Sequence, residues 1–143
     1  MIQRMGKRVI GWDEIAAVDL QPPAVVQHWR PGTVLSSAVA KGATLIMSPA
    51  NRAYLDMQYD KGTYLGLSWA GRIEVRDSYS WDPAKEMAGV SEGAIVGVEA
   101  PLWTETLATI CEVESLAFPR LAAIAEIGWT PQSRRDWEDF RGR

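Results

Sequence analysis

Residues 94–98, Ala-Ile-Val-Gly-Val, form a short apolar run bounded by Gly93. The segment that leaves it, Glu99-Ala100-Pro101-Leu102-Trp103-Thr104-Glu105, sets a tryptophan and a carboxylate two residues apart before the pattern turns helical. No other feature constrains the fold as much. A β-strand whose carboxyl end carries Trp-x-Glu, followed by a helix, is one βα unit with its functional groups on the rim. In (β/α) barrels, ligand-contacting residues sit at the carboxyl ends of the strands. A chain built on that plan should repeat it, and this one does. Val9-Ile10 runs into Trp12, Ala24–Trp29 ends on a tryptophan and is closed by Pro31-Gly32, and Ala43–Ser48 is terminated by Pro49. The β-branched and apolar content of the third run predicts burial on both faces, as in parallel strands.

The segments between these runs read mostly as helices. Gly6 is a helix stop, so the chain opens at the tail of a helix. Asp13-Glu14 and the alanines after them predict a short helix ended by Pro22-Pro23, and Ser36 to Lys41 predict another, stopped by Gly42. Residues 50–81 form a long connection rich in Tyr, Asp, Gly and Trp. Connections of that length in compact domains are functional or disordered, and the aromatic content argues against disorder. Asp82-Pro83 reads as an N-cap with proline at the first helical position, opening a short helix to about Met87. A long helix is predicted from 105 to about 127, with Ile110, Val113, Leu116, Leu121, Ile124 and Ile127 at helical spacing. Pro119 is its kink or break and Gly128 its stop. Ser133 is the candidate cap of a last helix carrying Trp137 and Phe140.

The sum is an α/β chain of about four parallel strands alternating with helices, half of a (β/α)8 barrel. By count alone a small doubly wound sheet also fits, but no Gly-rich phosphate loop follows any strand. The 143 residues are expected to be a single unit, because a full barrel takes about 250.

Composition excludes several functions. The net charge is −3 and Lys and Arg are scattered, so nothing recommends nucleic acid as a partner. No apolar run approaches the roughly 18 residues of a membrane span. The single cysteine, Cys111, forms no intrachain disulfide and reads as a small buried residue on a helix. His28 has no carboxylate or cysteine at metal-ligand spacing, so it reads as a packed, hydrogen-bonded histidine and no metal or other cofactor is expected. Seven tryptophans are the oddity. Trp12, Trp29 and Trp103 suit either a core position or a platform for flat apolar ligand faces. Trp81, Trp129 and Trp137 read as structural. Tyr54 and Asp56 suit either a ligand site or a loop anchor and helix cap, and Glu105 suits either a ligand site or the first turn of a helix.

One ordered set of motifs weighs against the structural alternatives. Gly11-Trp12-Asp13-Glu14, His28-Trp29, Tyr54-Leu55-Asp56, Leu67-Ser68-Trp69, Glu99–Glu105, Ala117-Phe118-Pro119-Arg120 and Ala125-Glu126-Ile127-Gly128-Trp129 together resemble the β-N-acetylhexosaminidases of glycoside hydrolase family 20, bacterial members in particular. The similarity runs in order over essentially the whole chain. It corresponds to the C-terminal half of the catalytic barrel, from about its fifth strand to its eighth.

The resemblance implies a retaining exo-glycosidase acting on terminal β-linked N-acetylglucosamine or N-acetylgalactosamine, in which the substrate's own 2-acetamido oxygen is the nucleophile. A glutamic acid protonates the leaving oxygen, and the aspartate before it orients the acetamide. That pair lies in a His-x-Gly-Gly-Asp-Glu motif, which is absent here. Asp13-Glu14 follows a tryptophan and is expected to be rim and helix-start structure. By the same resemblance, Trp12, Trp29 and Trp103 are walls and floor of a sugar pocket. Tyr54 bonds the acetamide oxygen, Asp56 and Trp69 contact the 6-hydroxyl, and Glu105 contacts the 4-hydroxyl. The isolated chain is expected to be inactive, and to self-associate or pair with the other half of the barrel. The alternative is a carbohydrate-binding fragment without catalysis.

Overall fold

The computed structural model describes residues 2–31, 33 and 35–143. Gly32, half of the Pro-Gly stop after the second strand, lies outside them. The four expected strands are β1 (Val9–Trp12), β2 (Ala24–His28), β3 (Thr44–Met47) and β4 (Ile95–Val98). All pair in parallel, in the order β1-β2-β3-β4. That order settles the choice between barrel and doubly wound sheet. Each strand lies beside its predecessor with no reversal, whereas a doubly wound sheet reverses at a switch point.

The chain divides into two compact units, Met1–Pro49 with Pro83–Val98, and Ala50–Asp82 with Glu99–Arg143. The first holds the sheet. Registers pair Ile10 with Val25 and Val25 with Thr44, and Trp12 with Gln27 and Gln27 with Ile46, so these residues share one face. Val26, Leu45, His28 and Met47 are on the other. The second set is fully buried. On the first face only Val25 is buried, while Thr44 and Ile46 are half-buried and Ile10 is 59% exposed. β3 is therefore not buried on both faces, because the face a closed barrel turns inward has no layer over it within this unit.

Helix α1 (Ser36–Ala40) follows the sequence reading, and Gly42 ends it at φ +94°, a backbone conformation that glycine adopts without a Cβ clash. The stretch after β1 is a 3-10 turn, Asp13–Ala17, that stops well short of Pro22. No helix forms at 83–87; those residues are turns. So short a run has little helicity of its own, and tertiary contacts decide its path. Met87 is buried, and its sulfur accepts from the Leu35 N–H at 3.1 Å.

The second unit is helical. Two short helices, α2 (Ala50–Ala53) and α3 (Val75–Tyr79), interrupt what the sequence presents as one long connection. The long predicted helix is two: α4 (Ile110–Ala117) and α5 (Arg120–Trp129), separated at Phe118-Pro119 as the proline requires. α4 starts five residues later than expected because Thr109 caps it. The Thr109 hydroxyl accepts from Glu112 N–H at 3.3 Å, and the Glu112 carboxylate accepts from Ala108 and Thr109 N–H at 2.7 and 2.8 Å. Ile110 and Cys111, in that first turn, are exposed rather than buried. Gly128 lies inside α5 and does not end it.

α5 buries Arg120, Ala123, Ile124 and Ile127, a stripe at helical spacing. Trp129, two residues beyond Ile127, points off that stripe and is 90% exposed, against the structural role expected of it. Helix α6 (Trp137–Gly142) is capped by Asp136, which accepts from Asp139 N–H at 2.9 Å, while Ser133 lies in a separate 3-10 turn. Tyr79 stacks on Phe140 at 4.7 Å and lies 5.3 Å from Trp137. Trp81 is buried, with its Nε1 donating to Ser78 O.

Candidate functional site

In the first unit, the ends of β1 and β2 are locked together. Asp13 and His28 are both buried, and Asp13 Oδ1 lies 3.1 Å from His28 Nδ1. Asp13 Oδ2 accepts from the Trp29 and Arg30 backbone N–H at 3.2 and 2.9 Å. The carboxylate is an acceptor to its neighbours, so His28 Nδ1 is the donor. The histidine is hydrogen-bonded as its sequence context suggests, but its partner is a carboxylate fifteen residues earlier, a pairing that local spacing does not reveal. Glu14 is exposed. It takes Arg30 at 2.6 Å and Trp29 Nε1 at 3.4 Å, and the Arg30 guanidinium lies 4.9 Å above the Trp29 indole. Asp13 thus fixes the backbone that carries Trp29, and Glu14 touches its side chain. Trp12 and Trp29 are both half-buried, each with part of its indole open.

In the second unit, α2 delivers Tyr54 directly after its last turn. Leu55 N–H bonds Pro101 O at 2.8 Å, tying this segment to the one that carries Trp103. The Tyr54 ring is buried, edge-on to Trp69 at 5.8 Å and tilted against Trp103 at 6.3 Å. Trp69 and Trp103 are 56% and 42% exposed, so the cluster has a closed tyrosine and two open indoles. Gly66 allows this approach. At φ +85°, a Cβ there would lie 2.5 Å from Asp56 O, and the Gly66 N–H bonds Thr106 Oγ1 at 3.0 Å.

Asp56 is 2% exposed; no other side chain bonds its carboxylate oxygens, whose hydrogen-bonding company is the backbone N–H of Asp56 and of Trp103. Burial pushes its pKa above the ordinary aspartate value, and the Glu105 charge adds to the rise. The nearby backbone N–H groups of Asp56 and Trp103 and the Arg120 cation oppose it. A buried carboxylate with so little hydrogen bonding is unusual in a folded protein. Glu105 is exposed, in a turn rather than in a helix. Among the described residues no three His, Cys, Asp or Glu side chains converge as metal ligands.

The catalytic-domain model of glycosyl hydrolase family 20 matches residues 1–132. The chain belongs to this family. A β-N-acetylhexosaminidase of Cellulomonas fimi is 49% identical over 147 aligned positions, which cover all of this chain and 29% of that protein. The family 20 β-N-acetylhexosaminidase of Streptomyces coelicolor A3(2) superposes with a TM-score of 0.92 at 46% identity, over 98% of this chain and 30% of that one. A mutant β-hexosaminidase of Streptomyces plicatus in complex with product (GlcNAc) does so with a TM-score of 0.92 at 45% identity, over 97% and 29%. The family 20 chain therefore spans less than a third of these relatives, and its four parallel strands and their helices are part of a TIM barrel.

Sequence reasoning missed Gly66, Thr106 and Arg120 as supports of the second cluster. Gly66 carried a readable signal, since a glycine ten residues after Asp56 in an aromatic loop invites the question of what approaches it. Arg120 stood in the motif Ala117-Phe118-Pro119-Arg120, which gave it no role.

Proposed function

We propose that these residues belong to a retaining exo-β-N-acetylhexosaminidase acting on terminal β-linked N-acetylglucosamine or N-acetylgalactosamine, and that they supply sugar-binding groups. The observation that carries this reading is Asp56. A buried carboxylate that no other side chain bonds, beside a buried tyrosine and two exposed indoles, is suited to a hydroxyl-rich ligand with apolar C–H faces. Hydroxyl donors to a carboxylate are worth roughly 1.5–3 kcal/mol each, and indole faces pack against the ring. In this assignment Asp56 and Trp69 contact the 6-hydroxyl, Glu105 the 4-hydroxyl, Tyr54 the acetamide oxygen, and Trp103 the sugar face. For Trp12 and Trp29, in the first unit, the family resemblance alone supports a role as aromatic surface.

The chemistry follows from the family resemblance. The substrate's acetamide oxygen attacks the anomeric carbon while a glutamic acid protonates the departing oxygen, and water later opens the cyclic intermediate with retention. Asp13 and Glu14 are poor candidates for that acid and its partner. Asp13 is held by His28 and two backbone N–H groups, and Glu14 by Arg30. This supports the reading that the acid pair comes from sequence outside these 143 residues. The half-buried face of the sheet and its open edges then pair with the remaining strands of the barrel, or with a second copy.

The same engagement of Asp13 and Glu14 favours a second reading for the chain alone, a carbohydrate-binding fragment without catalysis. Hydrolysis of an aryl N-acetyl-β-glucosaminide by the isolated chain, with Glu14→Gln as control, tests both. No turnover, together with quenching of tryptophan fluorescence by N-acetylglucosamine, is expected. Turnover that Glu14→Gln abolishes would place the chemistry on Asp13-Glu14 and overturn the assignment. Trp103→Ala then separates the readings: in a reassembled enzyme turnover collapses, whereas in a binding fragment only affinity falls.

A further inference from the structure

The side chain of Arg120 is the largest of the fully buried ones, and among the described residues no carboxylate lies within ion-pair distance of it. Its guanidinium instead donates to four carbonyls from three stretches of chain. One terminal nitrogen bonds Leu55 O at 2.6 Å and Leu116 O at 2.9 Å; the other bonds Met57 O at 2.7 Å and Ile73 O at 3.1 Å. The Tyr59 ring lies 3.8 Å from the guanidinium carbon, and the Tyr59 hydroxyl donates to Phe118 O at 2.8 Å. Two of the four acceptors, Leu55 and Met57, flank Asp56 in sequence. A hydrophobic core has no need of a cation there, and desolvating one is expensive unless the charge is used.

We propose that Arg120 is a positioning residue for Asp56: it clamps the backbone on both sides of that carboxylate, holds it where a hydroxyl can reach it, and brings a positive charge into its surroundings. This rests on the assignment of Asp56 as a sugar ligand. The geometry carries it, and the electrostatics agree with it. The clamp is bilateral, so a shift of Arg120 moves Leu55 and Met57 together and with them the Asp56 side chain between. The electrostatics are reciprocal as well. Asp56, raised by burial and by Glu105, is drawn back down by Arg120. Arg120, lowered by burial, is drawn back up by Tyr59, Asp56 and Glu74. A guanidinium remains charged under such burial where an ammonium would not reliably do so.

The test is a titration of the Asp56 side-chain carbon by NMR on the 143-residue chain, with N-acetylglucosamine binding followed on the indole N–H signals of Trp69 and Trp103. Arg120→Met removes the charge. Arg120→Lys leaves a single nitrogen that cannot hold four carbonyls. Glu105→Gln removes the other charge bearing on Asp56. The Asp56 midpoint is expected to move to higher pH in Arg120→Met and to lower pH in Glu105→Gln. Affinity for N-acetylglucosamine at neutral pH is expected to fall about tenfold in Arg120→Met, the scale of one charge-assisted hydrogen bond, and by less in Arg120→Lys.

An Asp56 midpoint unmoved in a folded Arg120→Met variant overturns the proposal. Should Arg120→Met not fold, Arg120→Lys decides: a displaced Asp56 midpoint supports the proposal, and either an unmoved midpoint or failure to fold makes Arg120 a stability residue and overturns it. If Asp56 responds in the variants while the wild type shows no sugar-dependent shifts at any pH, the coupling of Arg120 to Asp56 is upheld and the sugar assignment is what falls.

Discussion

His28 Nδ1 donates to Asp13 Oδ1 across 3.1 Å inside the first unit, while the other oxygen of the same carboxylate takes two consecutive backbone N–H groups. One side chain at the end of β1 thereby satisfies three donors at the end of the neighbouring β2. Asp13→Ala strands all three and is expected to destabilise the chain by roughly 3 kcal/mol, about 1 kcal/mol for each buried donor left unsatisfied. Glu14→Gln, one residue on, disturbs only an exposed pair with Arg30 and should change stability by less than about 1 kcal/mol. Urea denaturation of the two variants side by side checks both. Comparable losses would mean that burial is not what separates these adjacent carboxylates.

A second contrast lies between two tryptophans that the sequence presents alike. Trp81 is buried and its indole N–H is bonded to Ser78 O, so Trp81→Ala is expected to cost about 3–5 kcal/mol through the cavity it leaves. Trp129 is 90% exposed, and Trp129→Ser should lie within about 0.5 kcal/mol of the wild type. Thermal melts of both variants decide it, and a large loss at Trp129 would mean that its surface is covered in solution.

Those tryptophans show where the sequence was legible. The strands announce themselves because β-branched runs are punctuated by Pro and Gly, and the punctuation is a local property. Pro119 breaks the long helix for the same local reason. The start of α4 was misplaced because the capping pair Thr109 and Glu112 outranks the apolar periodicity that extends behind it. The short helices α2 and α3 have too few residues for a period to emerge, and they exist because the loop around them is packed. Trp129 misleads since composition favours burial while its position relative to Ile127 turns it outward. At the candidate site, the aromatic and acidic residues were readable from the ordered motifs. The role of Arg120 was not readable, because three of its four carbonyl partners lie 47 to 65 residues away.

Gly66 tests how the second cluster is held. At φ +85° an alanine is strained, and its Cβ would lie 2.5 Å from Asp56 O. The backbone bond Leu67 N–H to Asp56 O, now 2.8 Å, is the contact forced to give. Gly66→Ala is expected to destabilise by about 2 kcal/mol and to loosen Trp69 from Tyr54. Denaturant melts and the near-ultraviolet circular dichroism of the aromatic cluster report the two effects. A stable variant with an unchanged aromatic spectrum would mean that the loop absorbs the methyl group without moving Asp56.

Asp56 gives a stability prediction opposite in direction to its binding prediction. Its folded pKa is raised, chiefly by desolvation and secondarily by Glu105. The folded state therefore holds the Asp56 proton over a pH range in which the unfolded chain has released it. Stability contributed by this group is highest below the ordinary aspartate pKa and declines as pH rises through the interval up to the folded value, where the buried group must ionise. Asp56→Asn removes that penalty. The variant should melt at a higher temperature than the wild type at neutral pH, with the difference shrinking as pH falls below the ordinary aspartate range. Its affinity for N-acetylglucosamine should nevertheless drop about tenfold or more, because a neutral amide replaces a charge-assisted acceptor. Melting curves across pH and a sugar titration at neutral pH measure the two halves separately. A variant that is less stable at neutral pH would show that the folded chain stabilises the Asp56 carboxylate by more than its burial penalises it.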